Sequence, residues 1–219
     1  LYPYSLYLAT PITDTRTMRV DIVGWPPDVA PVYLDYRQFS YAGKFVQSAV
    51  GKALLRDKSR ERDPPCSPPD TSITYETDVI AAVSFSSHRQ VPHRLCYRYI
   101  TVRHDQRGNQ FGPKLAVDIA ERASQRGYET LQVAVNNSFA FEAMYRAGFS
   151  YTGETTGIAE LILRRPTERS AQTSKERYQS GLDRYRNRDS LSTDESNFLA
   201  SRKESEPPSP LSSTEYSSH

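Results

Sequence analysis

Leu95-Cys96-Tyr97-Arg98-Tyr99-Ile100-Thr101-Val102-Arg103-His104-Asp105-Gln106-Arg107-Gly108-Asn109-Gln110-Phe111-Gly112-Pro113-Lys114-Leu115 constrains the architecture more tightly than any other stretch of the chain. Its first eight residues alternate, Leu95, Tyr97, Tyr99 and Thr101 against Cys96, Arg98, Ile100 and Val102, which predicts a strand over 95–102. Pro113 suits the first turn of a helix, where its missing N–H costs nothing. Leu115, Ile119 and Ala123, with Ala116 and Ala120 beside them, make a helical apolar stripe, and Gly127 is a natural C-cap. Leu131, Val133 and Val135 then alternate, predicting a strand over 129–135. Strand, loop, helix and strand in this order predict a parallel βαβ unit with a right-handed crossover.

Outward from this unit the reading continues in both directions. Asp78–Ser86 is an unbroken apolar run typical of a central strand. Pro31–Phe39 alternates and predicts a strand, and Lys52–Arg56 predicts a short one, with an irregular or helical connection over 41–50. Residues 57–77 are charged and then Pro-rich, too polar for core and too long for a hairpin turn, and read as an exposed loop. Downstream, Ser138–Ala147 predicts a second helix stopped by Gly148, followed by strands near 150–153 and 158–164.

The loop 107–112 can do chemistry. A strand that runs through a glycine-bearing turn into a helix leaves first-turn amides unpaired, and the helix dipole adds about half a positive charge there. Gly108 and Gly112 let main chain approach phosphate oxygens, and Arg107 and Lys114 add charge. The plain alternative is a turn that only joins strand to helix. A P-loop would need Gly-Lys-Ser/Thr, which is absent, and the dinucleotide fingerprint lacks its third glycine.

With Val102 before it, this loop resembles motif A of the GNAT acyl-CoA-dependent N-acetyltransferases, Gln/Arg-x-x-Gly-x-Gly/Ala, through Arg107, Gln110 and Gly112. Gln110 stands where that family most often has glycine. Residues 137–149, Asn-Ser-Phe-Ala-Phe-Glu-Ala-Met-Tyr-Arg-Ala-Gly-Phe, resemble its motif B, with the tyrosine and Gly-Phe ending. The resemblance spans roughly 31–164. It implies an α/β fold of mixed α+β type: a central, largely antiparallel sheet, a parallel βαβ acyl-CoA-binding unit and flanking helices. It implies acetyl-CoA as co-substrate, no metal, and transfer of the acetyl group to a primary amine by direct attack in a ternary complex. A non-catalytic acyl-CoA sensor with an interaction tail is the alternative.

The resemblance also assigns residues. Main-chain groups of Ile100, Thr101 and Val102 would hold the pantetheine arm, the Val102 N–H lying near the thioester carbonyl. Arg107, Gly108, Asn109, Gln110, Phe111, Gly112 and Pro113 would surround the diphosphate. Asn136 or Asn137 takes the next cofactor-facing place, with Asn137 preferred. Tyr145 would be the catalytic acid for the departing thiolate, a phenol near ~10 serving a thiol near ~8.5; a core tyrosine is the competing reading. A lysine-like acceptor would need about 4.6 kcal/mol to deprotonate at pH 7, an α-amine only about 1. The strand 95–102 carries no glutamate to act as base, and Glu154, Glu160 and His104 read as surface groups. A homodimer is compatible with the resemblance.

Composition bounds the rest. Charges nearly cancel, 28 basic against 26 acidic, which argues against a nucleic-acid partner. Apolar residues make up 37%, below the usual 45–50%. Two cysteines, Cys66 and Cys96, make no disulfide framework and suit a reducing, cytoplasmic setting. His88, His93 and His104 with Cys96 match no zinc spacing. No apolar run is long enough for a membrane span, and the opening residues lack the charged start of a signal peptide. Residues 1–19 read as a poorly ordered extension, 20–166 as the domain. Residues 167–219, rich in Ser, Arg and Glu, read as a disordered tail, although Tyr178, Leu182 and Tyr185 are spaced to share one helix face.

Overall fold

The computed structural model describes residues 18–60 and 73–212. The sequence expectations for residues 1–17, for most of the loop after residue 57 and for the last residues of the tail lie outside them, as does Cys66. Seven strands form one sheet: β1 (Met18–Gly24), β2 (Gly51–Asp57), β3 (Val79–Ser87), β4 (Arg94–Val102), β5 (Thr130–Val135), β6 (Ser150–Thr155) and β7 (Leu161–Pro166). Their order is β1-β2-β3-β4-β5-β7-β6. Every neighbouring pair is antiparallel except β4 and β5. The helices are α1 (Phe111–Ser124), α2 (Ser138–Arg146), α3 (Lys175–Arg186) and α4 (Thr193–Ser201). The mixed, largely antiparallel sheet with one parallel βαβ crossover is therefore present.

Local chemistry sets the boundaries of the crossover. α1 ends in a Schellman motif: Gly127 takes φ +81, its N–H reaches Ser124 O at 2.9 Å, and the Tyr128 N–H reaches Ala123 O at 3.1 Å. α2 starts where the Asn137 side chain accepts from the Ala140 N–H at 2.8 Å. It ends at Gly148, φ +80, with the Phe149 N–H on Met144 O. Leu115, Ile119 and Ala123 bury against the sheet with β5's Leu131, Val133 and Val135.

Three expectations are corrected. Residues 31–39 form no strand. β2 and β3 already have both edges paired, and the chain turns at Asp35, whose carbonyl accepts from the Gln38 and Phe39 N–H groups. Val32, Leu34 and Phe39 instead pack across the outer face of β2 and β3 with Leu54 and Ala82. The strict alternation along 95–102 also fails. Phe85 pairs with Tyr97 but Ser84 pairs with Tyr99, so Arg98 is an extra residue, a β-bulge. Leu95 and Tyr97 face the helices, and after the bulge so do Ile100 and Val102.

Third, 167–219 is not tail throughout. Tyr178, Leu182 and Tyr185 bury one face of α3 beside Phe141, and Leu199 of α4 joins them. Gly181 permits the approach, since a Cβ there would meet the Phe141 ring at 2.3 Å. The segment is poor in aliphatics, yet it has three aromatic or aliphatic anchors at helical spacing and a receiving surface on α2 and β6. Glu142 on α2 fastens it, accepting from Arg202 at 2.8 and 2.9 Å and from the Tyr178 hydroxyl at 2.7 Å. Packing thus extends from Met18, which pairs with Asp57, to Leu199 of α4.

Candidate functional site

The parallel ladder between β4 and β5 is short. It runs from Arg94 opposite Thr130 to Tyr97 opposite Val133. Beyond that point β4 stays with β3 as far as Val102 opposite Ala81, while β5 stays with β7 as far as Val135 opposite Leu161. Each strand follows its outer neighbour, so a gap opens between 98–102 and 134–135. The bulge at Arg98 stands where the strands part, which is what an extra residue does to a ladder. The Arg103 N–H donates to Ile80 O at 2.9 Å, on the β3 side. By antiparallel alternation Thr101 also turns its main chain to β3, and Ile100 and Val102 turn theirs into the gap. Thr101 therefore differs from its two neighbours, and its buried Oγ1 has no partner.

At the top of the gap lies the glycine-bearing loop. A 3-10 turn over His104–Gln106 leads into it, Gly108 takes φ +85 and Gln110 φ +62. Among the described residues, the main-chain N–H groups of Arg107, Gly108, Gln110, Phe111 and Gly112 meet no protein acceptor. Residues 107–110 are exposed, whereas Phe111 and Gly112 are buried at the N-terminus of the fourteen-residue helix. That donor set suits the oxygens of a diphosphate. Phe111 and Pro113 are buried; they seat the helix start, and Pro113 has no N–H to offer. Gly112 allows close packing: a Cβ there would meet Val102 Cγ2 at 3.3 Å. Arg107 is exposed and its Nη2 donates to Ser40 Oγ at 2.9 Å, tying the loop to segment 36–41. The Asn109 amide folds back on Gln106 O.

Asn137 follows the end of β5, across the gap from Val102. Its side chain is occupied as the α2 cap and donates to Asn136 Oδ1 at 3.0 Å. Tyr145 requires a correction. It is 1% exposed, lies against Phe141 and Tyr178 with centroids 4.9 Å from each, and its hydroxyl accepts from the Tyr151 N–H at 3.1 Å. This places it under α3, in the aromatic core. The chain has Tyr145-Arg146-Ala147-Gly148, two residues between Tyr and Gly. One residue on a helix is a turn of about 100°. The tyrosine is accordingly rotated away from the place that a Tyr-x-x-x-Gly-Phe ending would give it, which here holds Met144.

One feature of this region escaped the sequence reading. On the face of the sheet opposite the helices a cleft of about 750 Å³ opens beside the gap. Ser86, Cys96, Arg98, Tyr99 and Gln132 supply its sheet side. Burial pushes the Cys96 thiol up, against the pull of Arg98, Arg94 and Arg164. The strand pairing places Cys96 beside Gln132, and Gln132 beside Arg164. Only the bulge, which is invisible without the β3 register, brings Arg98 and Tyr99 to this cleft together.

No protein-family model matches the chain, and no curated protein matches it. Among solved structures 159 chains match. An N-acetyltransferase from Staphylococcus aureus is similar at 14% identity and a TM-score of 0.40, over 54% of this chain and 68% of that one. A GCN5-related N-acetyltransferase from Kribbella flavida is similar at 19% and 0.39, over 53% and 67%. Nourseothricin acetyltransferase is similar at 16% and 0.44, over 69% of this chain and 99% of that one. At these identities the likeness is one of fold alone.

Proposed function

We propose that the protein is an acetyl-CoA-dependent N-acetyltransferase acting on a primary amine. The observation that carries this reading is the row of free main-chain N–H groups at 107–112, set where β4 and β5 part. In this reading those amides bind the diphosphate of the coenzyme, and the main-chain groups of Ile100 and Val102 hold its pantetheine arm as a strand-like neighbour. The co-substrate supplies an activated thioester. The Val102 N–H, at the edge of the gap, stabilises charge developing on the thioester oxygen. The amine nitrogen bonds to the carbonyl carbon, the C–S bond breaks, and the proton lost by nitrogen balances the one taken up by sulfur. Phe111, Pro113 and Gly112 hold α1 against β4 so that both sets of donors stay in register.

A second reading has its own support: Tyr145, the side chain expected to act as the acid, is committed to the core. The protein would then bind acyl-CoA without turning it over. Thiol release from acetyl-CoA against a broad amine panel separates the two. Amine-dependent release is the expected result. Coenzyme binding with no release from any amine would favour the second reading.

A further inference from the structure

Resting on the acetyl-transfer reading, we propose that the cleft on the open face takes an acceptor amine that also carries a carboxylate, held by the Arg98 guanidinium. The cleft adjoins the gap, so an amine reaching from it meets the thioester from the side opposite α1. Among the described residues no Asp or Glu lines it, whereas Arg98, Arg89 and His88 do. Two more arginines back the same face: Arg94 and Arg164 both donate to cleft-lining Gln132, at 3.4 and 2.9 Å.

The counter-charge on this face is small. Glu154 pairs with Arg164 at 2.6 Å. Among the described residues neither Arg94 nor Arg98 has a carboxylate within ion-pair distance. Arg94 Nε is buried without any partner. Arg98 donates its Nε to Ser86 Oγ at 2.8 Å, which fixes the guanidinium, and among the described residues neither Nη group has a partner. A fork held in this way matches a carboxylate with two parallel hydrogen bonds. Burial lowers the His88 pKa, and Arg94, Arg98 and Arg164 lower it further.

The charge helps the amine lose its proton, alongside His88, which lines the same cleft. A carboxylate in the same molecule favours the ammonium form, and neutralising that carboxylate on arginine removes this hold. The surrounding cations disfavour a protonated amine further. The same field repels polyamines and other polycations.

The experiment uses the full chain and Arg98→Gln, with three readings. Calorimetry with CoA tests the transfer reading alone. Calorimetry with an N-acetyl-α-amino acid, in the absence of coenzyme, tests the cleft alone. Thiol release compares α-amino acids, their carboxamides, short peptides and spermidine. The expected results are binding of the N-acetylamino acid, and a preference for carboxylate over carboxamide of about tenfold in kcat/KM. Both should fall to near parity in Arg98→Gln, while CoA binding is unchanged. Free amino acids outrunning peptides would identify a metabolite-sized acceptor; the reverse would identify a peptide. CoA binding with spermidine or the carboxamide preferred, and Arg98→Gln without effect, would overturn the inference and leave the transfer reading standing. A bound N-acetylamino acid with no CoA binding would do the opposite.

Discussion

The two faces of the sheet are built on different rules. The helix side is one continuous core in which α1 to α4 bury residues from β2 to β7. There three tyrosine hydroxyls are hydrogen-bonded, Tyr97 to Ala116 O, Tyr185 to Val135 O and Tyr178 to Glu142, while the buried Tyr151 hydroxyl has no partner among the described residues. Burial pushes Tyr97, Tyr178 and Tyr185 all above the ordinary tyrosine range. The opposite face is covered over β2 and β3 by residues 29–45, and over β4 and β5 it keeps arginines and an open cleft. Aromatic residues on the first face hold the fold. The groups free to meet a ligand are the backbone at the gap and the cations of the second face.

The largest test of that contrast is Phe141→Ala. Its ring touches Tyr145, Tyr151, Tyr178 and Tyr185. Chemical denaturation should show a loss of about 3–5 kcal/mol. A loss under 1 kcal/mol would mean that α3 is not part of the core.

Next comes Glu142→Gln, expected to cost about 1–3 kcal/mol by loosening Arg202, Arg146 and Tyr178 together. Burial raises the Glu142 pKa, but hydrogen bonds from Arg202, Tyr178 and Arg146 outweigh it and hold the carboxyl below the usual range. A depressed folded value means that this stabilisation is complete above the unfolded glutamate value near ~4.3 and is lost as pH falls through the folded value. The wild type should therefore lose stability faster than Glu142→Gln as pH drops below about 4. Parallel pH profiles would contradict the assignment.

Tyr145→Phe has a smaller expected effect, about 1 kcal/mol from one lost hydrogen bond to the Tyr151 N–H. Turnover should stay within about threefold of wild type, whereas loss of a catalytic acid costs about a hundredfold or more. The smallest effect is expected at Gln110→Gly. Gln110 adopts φ +62, where a side chain is disfavoured by about 1 kcal/mol. Glycine should leave stability equal or slightly higher, with coenzyme affinity retained because the donor is main chain.

The strands β3, β4 and β5 and the helices α1 and α2 were legible because their periodicity and caps are local: Asn137, Gly127 and Gly148 each act within a few residues. The features that escaped are pairing properties. The Arg98 bulge depends on the register against β3, so alternation along β4 misassigned Ile100 and Val102. Residues 31–39 have strand-like alternation, but β2 and β3, against which they pack, already have both edges paired. Helix α3 showed its spacing at Tyr178, Leu182 and Tyr185, but the composition of the whole segment masked it. The surface that receives it lies on distant α2 and β6. The glycine loop was visible in sequence, while the freedom of its amides needed the structure.

Titration of the full chain with CoA by calorimetry tests the central claim most directly. Saturable binding that weakens with rising salt, and weakens further in Gly112→Val, where the new side chain pushes α1 off Val102, is the predicted result. A flat titration at millimolar CoA with the folded wild-type protein would contradict it.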